Sequence, residues 1–295
     1  MKVIGSGIWQ VKGPRAGPHL MVLGGVHGDE KTGIDVVKKL HALFDAGEEQ
    51  LSAGILTLVL GNEEAMQLNQ RGTSVEHNLN RMFTEKHLAG PVLDFYESRR
   101  AHELAPLLAS ADISIDIHST SSPSRPFLPC AFSPRHERVY RWFRCDLVLT
   151  DPDYVLGGER ATTDEYVDSC GGAGICFETG FAGDTSRVLA VLESIRNILA
   201  DLGLTSPVRP LSPPEPHYRV YRMVRRVLLT SDGFSYIGKF PESFQTVQKG
   251  EIIGYHGTRP ETAAEEGVIV FPKAREQWHS GHDIFFLARR IHELP

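Results

Sequence analysis

The residues best suited to chemistry begin with His27 and Glu30. They follow an apolar run that stops at two glycines, Val22-Leu23-Gly24-Gly25-Val26-His27-Gly28-Asp29-Glu30. Imidazole and carboxylate are good ligands for a borderline cation such as zinc, and a catalytic zinc takes three protein ligands and keeps one position open. The same pair also suits a surface histidine beside an acidic residue in a helix's first turn, where the macrodipole favours negative charge. His118, much later in the chain, offers the third ligand. Two near ligands and one distant one leave a metal open to water. Asp116 is a candidate for orienting a ligand imidazole, although a strand residue facing solvent would show the same spacing. Metal-bound water still needs a carboxylate to carry its proton to a leaving amine. Glu178, inside Ile175-Cys176-Phe177-Glu178-Thr179-Gly180, fits that role, because burying its charge without purpose is costly. Arg71 and the pair Asn80-Arg81 place two guanidiniums and an amide in one loop, a set that suits a carboxylate or a developing oxyanion. A solvated basic loop is the plainer account of the same residues. The remaining histidines, among them His19, His41, His77 and His102, read as surface residues.

These side chains need elements to hold them. Ile34, Val37, Leu40, Leu43 and Phe44 recur at helical spacing after Glu30, so the glycine turn opens a helix. Residues 54–60 read as a second buried strand ending at Gly61-Asn62. A short helix follows over 63–68, and a long amphipathic one over 92–109 with Val92, Leu93, Tyr96, Leu104, Leu107 and Leu108 inward. Ile113–His118 alternates apolar and polar residues. An aromatic helix near 135–144, strands at 147–149 and 174–178, and a helix over 186–202 complete the unit. Alternating strands and helices predict an α/β fold with a mixed, mostly parallel sheet covered by helices on both faces. Ligands gather at the carboxyl ends of such strands. His27, Asn62, His118 and Glu178 each fall at a different predicted strand end.

The chain changes texture after residue 205. Ser206-Pro207, Pro210 and Ser212-Pro213-Pro214-Glu215-Pro216 read as a stiff linker over 206–216. Short β-like runs in 217–295 then predict a small C-terminal β domain beside a catalytic domain over 1–205. Composition bounds the rest. Thirty-one basic against 37 acidic residues give a net charge of −6, which argues against a nucleic-acid surface. No run approaches the ~20 apolar residues of a membrane span. The four cysteines form no Cys-x-x-Cys pair and read as free thiols in a reducing compartment, which predicts a cytoplasmic protein without nucleic-acid or membrane partners.

Five motifs occur in a telling order: Gly25-x-His27-Gly28-x-Glu30-x-x-Gly33, Asn78-Leu79-Asn80-Arg81-Met82-Phe83, Arg99-Arg100-Ala101-His102-Glu103-Leu104, Asp116-Ile117-His118-Ser119-Thr120 and Phe177-Glu178-Thr179-Gly180. Together they resemble the succinylglutamate desuccinylase/aspartoacylase family, over residues ~20 to 200. The resemblance implies a zinc carboxypeptidase-like fold and one zinc ion per chain on His27, Glu30 and His118. It further implies Glu178 as general base, Arg71 polarising the scissile carbonyl, and Asn80-Arg81 holding the substrate carboxylate. The implied substrate is a small N-acyl amino acid, hydrolysed to a carboxylate and an amine. Nickel, cobalt or iron would fit the same ligand types, and homo-oligomerisation is left open. The family's β domain can fold over the active-site mouth; Trp278-His279 lie near where an aromatic contact would come, and read as domain core or surface.

Two departures bear on substrate. Asn78 replaces the aspartate of the family's Asp-x-Asn-Arg pattern. Where aspartoacylases carry an arginine for a second carboxylate, this chain reads Thr162-Thr163-Asp164-Glu165-Tyr166-Val167-Asp168. Three acids there predict a substrate with a neutral or cationic side chain, unless they only cap a helix. Two other functions remain open on the sequence: a zinc carboxypeptidase acting on peptides, and a non-catalytic metal- or ligand-binding protein.

Overall fold

The run His19–Gly24 is buried along its whole length, as a strand covered on both faces must be. A computed structural model of the chain describes residues 1–206, 211–213, 217–279 and 281–291. Its first part contains β1 (Lys2–Gly5), β2 (Ile8–Lys12), β3 (His19–Gly24), α1 (Lys31–Asp45), β4 (Ile55–Leu60), α2 (Glu63–Leu68), α3 (Glu85–Ala89), α4 (Tyr96–Ala109) and β5 (Ile113–Thr120). Next come β6 (Leu128–Pro129), α5 (Pro134–Tyr140), β7 (Leu147–Thr150), α6 (Thr163–Ser169), β8 (Ala173–Phe181) and α7 (Val188–Asp201). The last part is all β: β9 (Arg219–Leu228), β10 (Ser235–Tyr236), β11 (Gln245–Val247), β12 (Ile252–His256), β13 (Arg259–Thr262), β14 (Gly267–Val270) and β15 (Asp283–Ile291).

The main sheet has the order β1-β2-β4-β3-β5-β8. β4, β3, β5 and β8 run parallel, and β2 joins β4 antiparallel. The chain is therefore the mixed, mostly parallel α/β fold expected. Successive strand residues point to opposite faces, and the two faces have separate cores. Leu20, Val22, Ile115, Ile117, Ile175 and Phe177 pack with Ile34, Val37 and Leu40 of α1 and Ile195 and Ile198 of α7. Met21 and Leu23 pack on the other side with Ala101, Leu104 and Leu108 of α4. On β5 and β8 the positions between the apolar ones are Asp116, His118, Cys176 and Glu178, all buried. These two strands thus turn their polar residues toward one another's side of the sheet.

A second sheet has the order β11-β14-β15-β9-β7-β6, and a third contains β10, β12 and β13. The strand read at 147–149 is present but does not join the parallel sheet. β7 pairs in parallel with β9, more than 70 residues later, with Leu147 opposite Arg219. Leu147 and Leu149 share a core with Tyr221, Met223 and Phe286, so β9, β11, β14 and β15 form one sheet with β6 and β7. Of the Pro-rich stretch, residues 207–210 and 214–216 lie outside the described residues.

Two other local expectations need correction. The long helix starts at Tyr96 rather than 92, and Val92 and Leu93 are exposed. The Leu93 N–H donates to the Ser98 hydroxyl (2.9 Å), which holds the preceding turn outside the helix. His19 is buried, not on the surface, with its ring between the Ser110 carbonyl and the Thr57 hydroxyl. His136 and His256 are buried as well. Two partners per ring make such burial tolerable: Ser133 and Asp168 flank His136, while Thr230 and Glu261 flank His256.

Candidate metal and catalytic site

Three glycines set the loop that carries His27. Gly25 has φ +69°, a left-handed conformation that other residues rarely adopt, and it turns the chain off β3. A Cβ on Gly28 would lie 2.1 Å from the Ala65 carbonyl carbon, so the loop lies backbone against backbone on α2. Gly33, in the first turn of α1, meets the Ile117 carbonyl oxygen just as closely, at 2.3 Å from an added Cβ. These approaches pull His27 and the start of α1 against the end of β5. Glu30 is the residue that begins α1, where the helix N-terminus favours a carboxylate.

His27, Glu30 and His118 come together there, all buried, with ligand atoms within 4.8 Å of one another. Nδ1 of His27 is 2.8 Å from Glu30 Oε1, Nδ1 of His118 is 2.9 Å from Glu30 Oε2, and the two Nδ1 atoms are 3.1 Å apart. The far side of each ring is also engaged. Nε2 of His118 is 2.9 Å from Asp116 Oδ2, and Nε2 of His27 is 3.0 Å from Asn78 Oδ1. With Nε2–H donated outward on both rings, both Nδ1 lone pairs converge on the Glu30 carboxylate. Imidazole nitrogens and a carboxylate at such distances need a proton or a metal cation among them. The donor set therefore fits a metal ion. Burial lowers the His27 pKa to about 4, with the Arg71 charge adding to the effect. Burial alone would raise Glu30, but the charges of His27 and His118 outweigh it and hold the carboxyl well below its ordinary range. His118 moves the other way: Asp116 and Glu30 overcome its burial and raise it well above the usual histidine value.

Glu178 lies on β8 directly opposite His118. Its Oε2 is buried without a hydrogen-bond partner. Burial, reinforced by the nearby Glu30 charge, raises its pKa to about 8. This is a carboxylate held without a structural partner beside the metal-ligand cluster. Arg71, on the half-exposed loop after α2, reaches Glu30 Oε1 at 3.3 Å. The loop is tied down by Glu97, a residue the sequence did not single out. Its carboxylate accepts from the Thr73 N–H (2.7 Å), the Thr73 hydroxyl (2.8 Å) and the Asn62 amide (2.9 Å). Asn62 accordingly belongs to the scaffold rather than to the site: its Oδ1 caps α2 by accepting from Ala65 N–H.

Asn80 and Arg81 lie on the short helical turn Leu79–Arg81. Asn80 Nδ2 is 3.5 Å from His118 Nε2, and its Oδ1 accepts from Thr163 N–H at 3.0 Å. Arg81 donates from Nη1 to its neighbour's carbonyl, Asn80 O, at 2.6 Å. Burial lowers its pKa, with Arg71 adding to the effect. Thr163 also donates to Asp116 Oδ2 at 2.5 Å, so one residue links the loop of Asn80 to the partner of His118. Thr162-x-x-Glu165 forms a capping box, a signature readable in sequence, and it is what fixes Thr163 at the first position of α6.

His27, Glu30, Arg71, Asn78, Asn80, Arg81, His118 and Glu178 all line one cavity of about 1160 Å³. The C-terminal part of the chain adds Arg222, Arg226, Lys273 and Asp283 to its lining, none of which stood out in the sequence. Trp278 belongs to the C-terminal core, packed on Phe234 and Tyr236, with Nε1–H donating to Lys273 O at 2.8 Å. His279 is exposed at the rim.

The family model for the succinylglutamate desuccinylase/aspartoacylase catalytic domain matches residues 16–197. A probable aspartoacylase of Nostoc sp. is 36% identical over 106 residues, 34% of this chain and 35% of the relative. A succinylglutamate desuccinylase of Vibrio campbellii is 25% identical over 272 residues, covering 84% of this chain and 74% of the relative. The solved succinylglutamate desuccinylase of Vibrio parahaemolyticus has the same fold, with a TM-score of 0.76 at 19% identity over 97% of this chain and 86% of that one. The matched domain contains the metal-ligand cluster, the β8 carboxylate and the loop arginines, and this chain belongs to the succinylglutamate desuccinylase/aspartoacylase family.

Proposed function

We propose that this chain is a zinc-dependent amidohydrolase that cleaves the amide bond of an N-acyl amino acid, yielding a carboxylate and an amine. The observation that carries the reading is the placement of Glu178, without a partner of its own, across from His118 at the edge of the His27–Glu30–His118 cluster. Those three residues would hold zinc, which when bound would supply an electrophile and bring the pKa of water to near neutrality. Asp116 and Asn78 hold the two imidazoles with their Nδ1 lone pairs inward. Glu178 takes one proton from the attacking water and gives it to the leaving nitrogen, so the C–O bond forms as the C–N bond breaks. Arg71 stabilises the negative charge that develops on the amide oxygen. Arg81, with Asn80 beside it, holds the α-carboxylate.

The side chain we infer for the substrate is neutral or cationic. Support for this comes from Asp164 rather than from its neighbours. Glu165 accepts from the Ala161 and Thr162 N–H groups in the helix cap, and Asp168 binds His136 and the Gly174 N–H. The free thiols of Cys130, Cys145, Cys170 and Cys176 support a reducing compartment such as the cytoplasm. Among the described residues, no helix is long and apolar enough to cross a membrane.

The test is metal analysis of the purified protein with an amine-release screen over N-acetyl and N-succinyl amino acids. One zinc per chain and chelator-sensitive release from a member of the panel are expected. Zinc without release from any N-acyl amino acid would sink the reading. Short peptides belong in the same screen, because a cavity of about 1160 Å³ exceeds the usual range for small-molecule sites and has room for a dipeptide.

A further inference from the structure

We propose that Asp164 is the specificity-determining residue of this cavity, receiving an ammonium or similar cation at the end of the substrate's amino-acid side chain. The assignment rests on the deacylase reading above. Asp164 is 6% exposed and lines the cavity. It follows Thr163, which is bonded to both Asn80 and Asp116. The α6 N-terminus is thereby fixed to the loop of the α-carboxylate clamp, and Asp164 is one residue away from it.

What distinguishes Asp164 is the company it keeps. Its hydrogen-bond partner is the Thr162 hydroxyl, and the charges around it are Glu165 and Asp168 on α6 and Asp116 on β5. The Cys176 thiol on β8 and Cys130 lie in the same electrostatic neighbourhood. No cation forms an ion pair with it among the described residues. Burial raises its pKa to about 8, with the Glu165 charge adding to the effect. Desolvated and surrounded by acids, this carboxylate has the Thr162 hydroxyl and the start of α6 to favour its charged form but, among the described residues, no cation paired with it. A cation in the cavity would complete that pair.

Most of the other charges on the cavity wall have partners among the described residues; Glu178 and Asp29, beside the candidate metal site, and the exposed Glu76 form no ion pair. Arg222 binds Asp153 at 2.7 Å, Arg226 and Lys273 share Asp283 at 3.1 and 2.5 Å, and Arg71 reaches Glu30. Asp151 accepts from the Val155 and Leu156 N–H groups, and Asp29 lies near Arg71 and Lys31. Among the described residues Arg81 is the cavity cation that forms no ion pair with a carboxylate, and Asp164 is its counterpart of opposite sign. With Glu178 assigned to the proton transfer, a cavity lined by both the unpaired Arg81 and the buried, unpaired Asp164 complements an amino acid carrying an α-carboxylate and a distal ammonium. Cys130, Cys176 and Phe132 line the same cavity and give the methylene stem of such a side chain a soft apolar wall.

The experiment uses the zinc-loaded full chain with three substrates, N-acyl-ornithine, its neutral isostere N-acyl-norleucine, and N-acyl-glutamate, each as acetyl and succinyl derivatives. We expect kcat/KM for ornithine to exceed that for norleucine by about tenfold or more, as a charge-assisted contact provides, with the difference residing in KM. D164N should collapse that ratio and D164E should restore part of it. Because the readout is a ratio within one protein, a general loss of activity cancels. If D164N does not fold, the wild-type ratio decides alone. Norleucine or glutamate derivatives cleaved as fast as ornithine, or a D164N enzyme that keeps the preference, would overturn the assignment and leave the deacylase reading intact. Release from none of the six compounds but from another member of the wider N-acyl amino acid panel would overturn this assignment alone, and release from no member of that panel would overturn the deacylase reading with it.

Discussion

Replacing Asp116 by asparagine keeps the shape of the side chain and removes its charge. Asp116 Oδ2 sits 2.9 Å from His118 Nε2 and 2.5 Å from the Thr163 hydroxyl. An asparagine oxygen in the same place still accepts from Nε2–H, so the tautomer is kept, but the imidazole becomes less basic toward a metal. Loss of an outer partner of a ligand histidine weakens metal binding by about 10- to 100-fold. D116N should therefore show a zinc dissociation constant raised by that factor, and some loss of metal-free stability as the buried Asp116–His118 pair loses its charge. D116A differs: it leaves His118 Nε2–H and the Thr163 hydroxyl unpaired in a buried setting. Each such group costs about 1–3 kcal/mol, so D116A should lose roughly 2–6 kcal/mol of stability as well as affinity. Zinc affinity comes from competition with a chromogenic chelator, and stability from urea unfolding of the stripped protein. D116N binding zinc as tightly as wild type would refute the claim that Asp116 orients the ligand, whatever D116A does.

Three further outcomes are expected. E178Q should lower kcat by about 10²- to 10⁴-fold, the usual contribution of a positioned proton carrier, while retaining stoichiometric zinc; near-normal turnover would remove Glu178 from the mechanism. G28A should lower the melting temperature and the metal content together, since its Cβ would lie 2.1 Å from the Ala65 backbone and overpacking of this kind costs about 1–3 kcal/mol; a G28A protein with full zinc and an unchanged melting curve would contradict the close approach. Glu178 and Asp164, raised from ordinary values of 4.5 and 3.8 to about 8, are protonated when folded and ionised when unfolded between those limits, and raised His118 has the same sign above its ordinary 6.5. The unfolded chain then binds fewer protons, so the stripped protein should lose stability as pH rises from about 6.5 to 8, a fall that D164N should reduce and that a flat profile would disprove.

Much of the scaffold around the site was legible because parallel strands buried on both faces read as apolar runs. Against that background Asp116, His118 and Glu178 stand out as polar residues at alternating positions, and the structure brings them to one face. The glycine turn before His27 was equally plain, since few residues other than glycine accept the backbone of Gly25. Longer-range choices were not legible. Nothing in Leu147–Thr150 says that its partner is β9 rather than β8, because a four-residue apolar strand suits any edge. Asn62 has the same appearance as a ligand at a strand end, and only the position of Glu97 reveals it as a cap anchor. The acids of 162–168 looked alike, yet Glu165 closes a helix, Asp168 binds His136, and Asp164 faces the cavity. The wall formed by Arg222, Arg226, Lys273 and Asp283 depends on how the C-terminal strands pack, which local pattern does not encode.

The pairing of β9 with β7 has a consequence for how the molecule is made. Synthesis proceeds from the N-terminus, and every ligand of the proposed metal centre has emerged once Glu178 is out. At that point β7 still has a bare edge, and Leu147 and Leu149 lack Tyr221, Met223 and Phe286. A nascent chain can thus gather its metal-ligating histidines well before its pocket is closed. Until residues 219–291 arrive, it presents an unpaired strand and an apolar face to chaperones and to other unfinished copies. Cleavage within the Pro-rich stretch followed by loss of the C-terminal piece would return the protein to that exposed state, so proteolysis there should cause aggregation rather than release a small working enzyme.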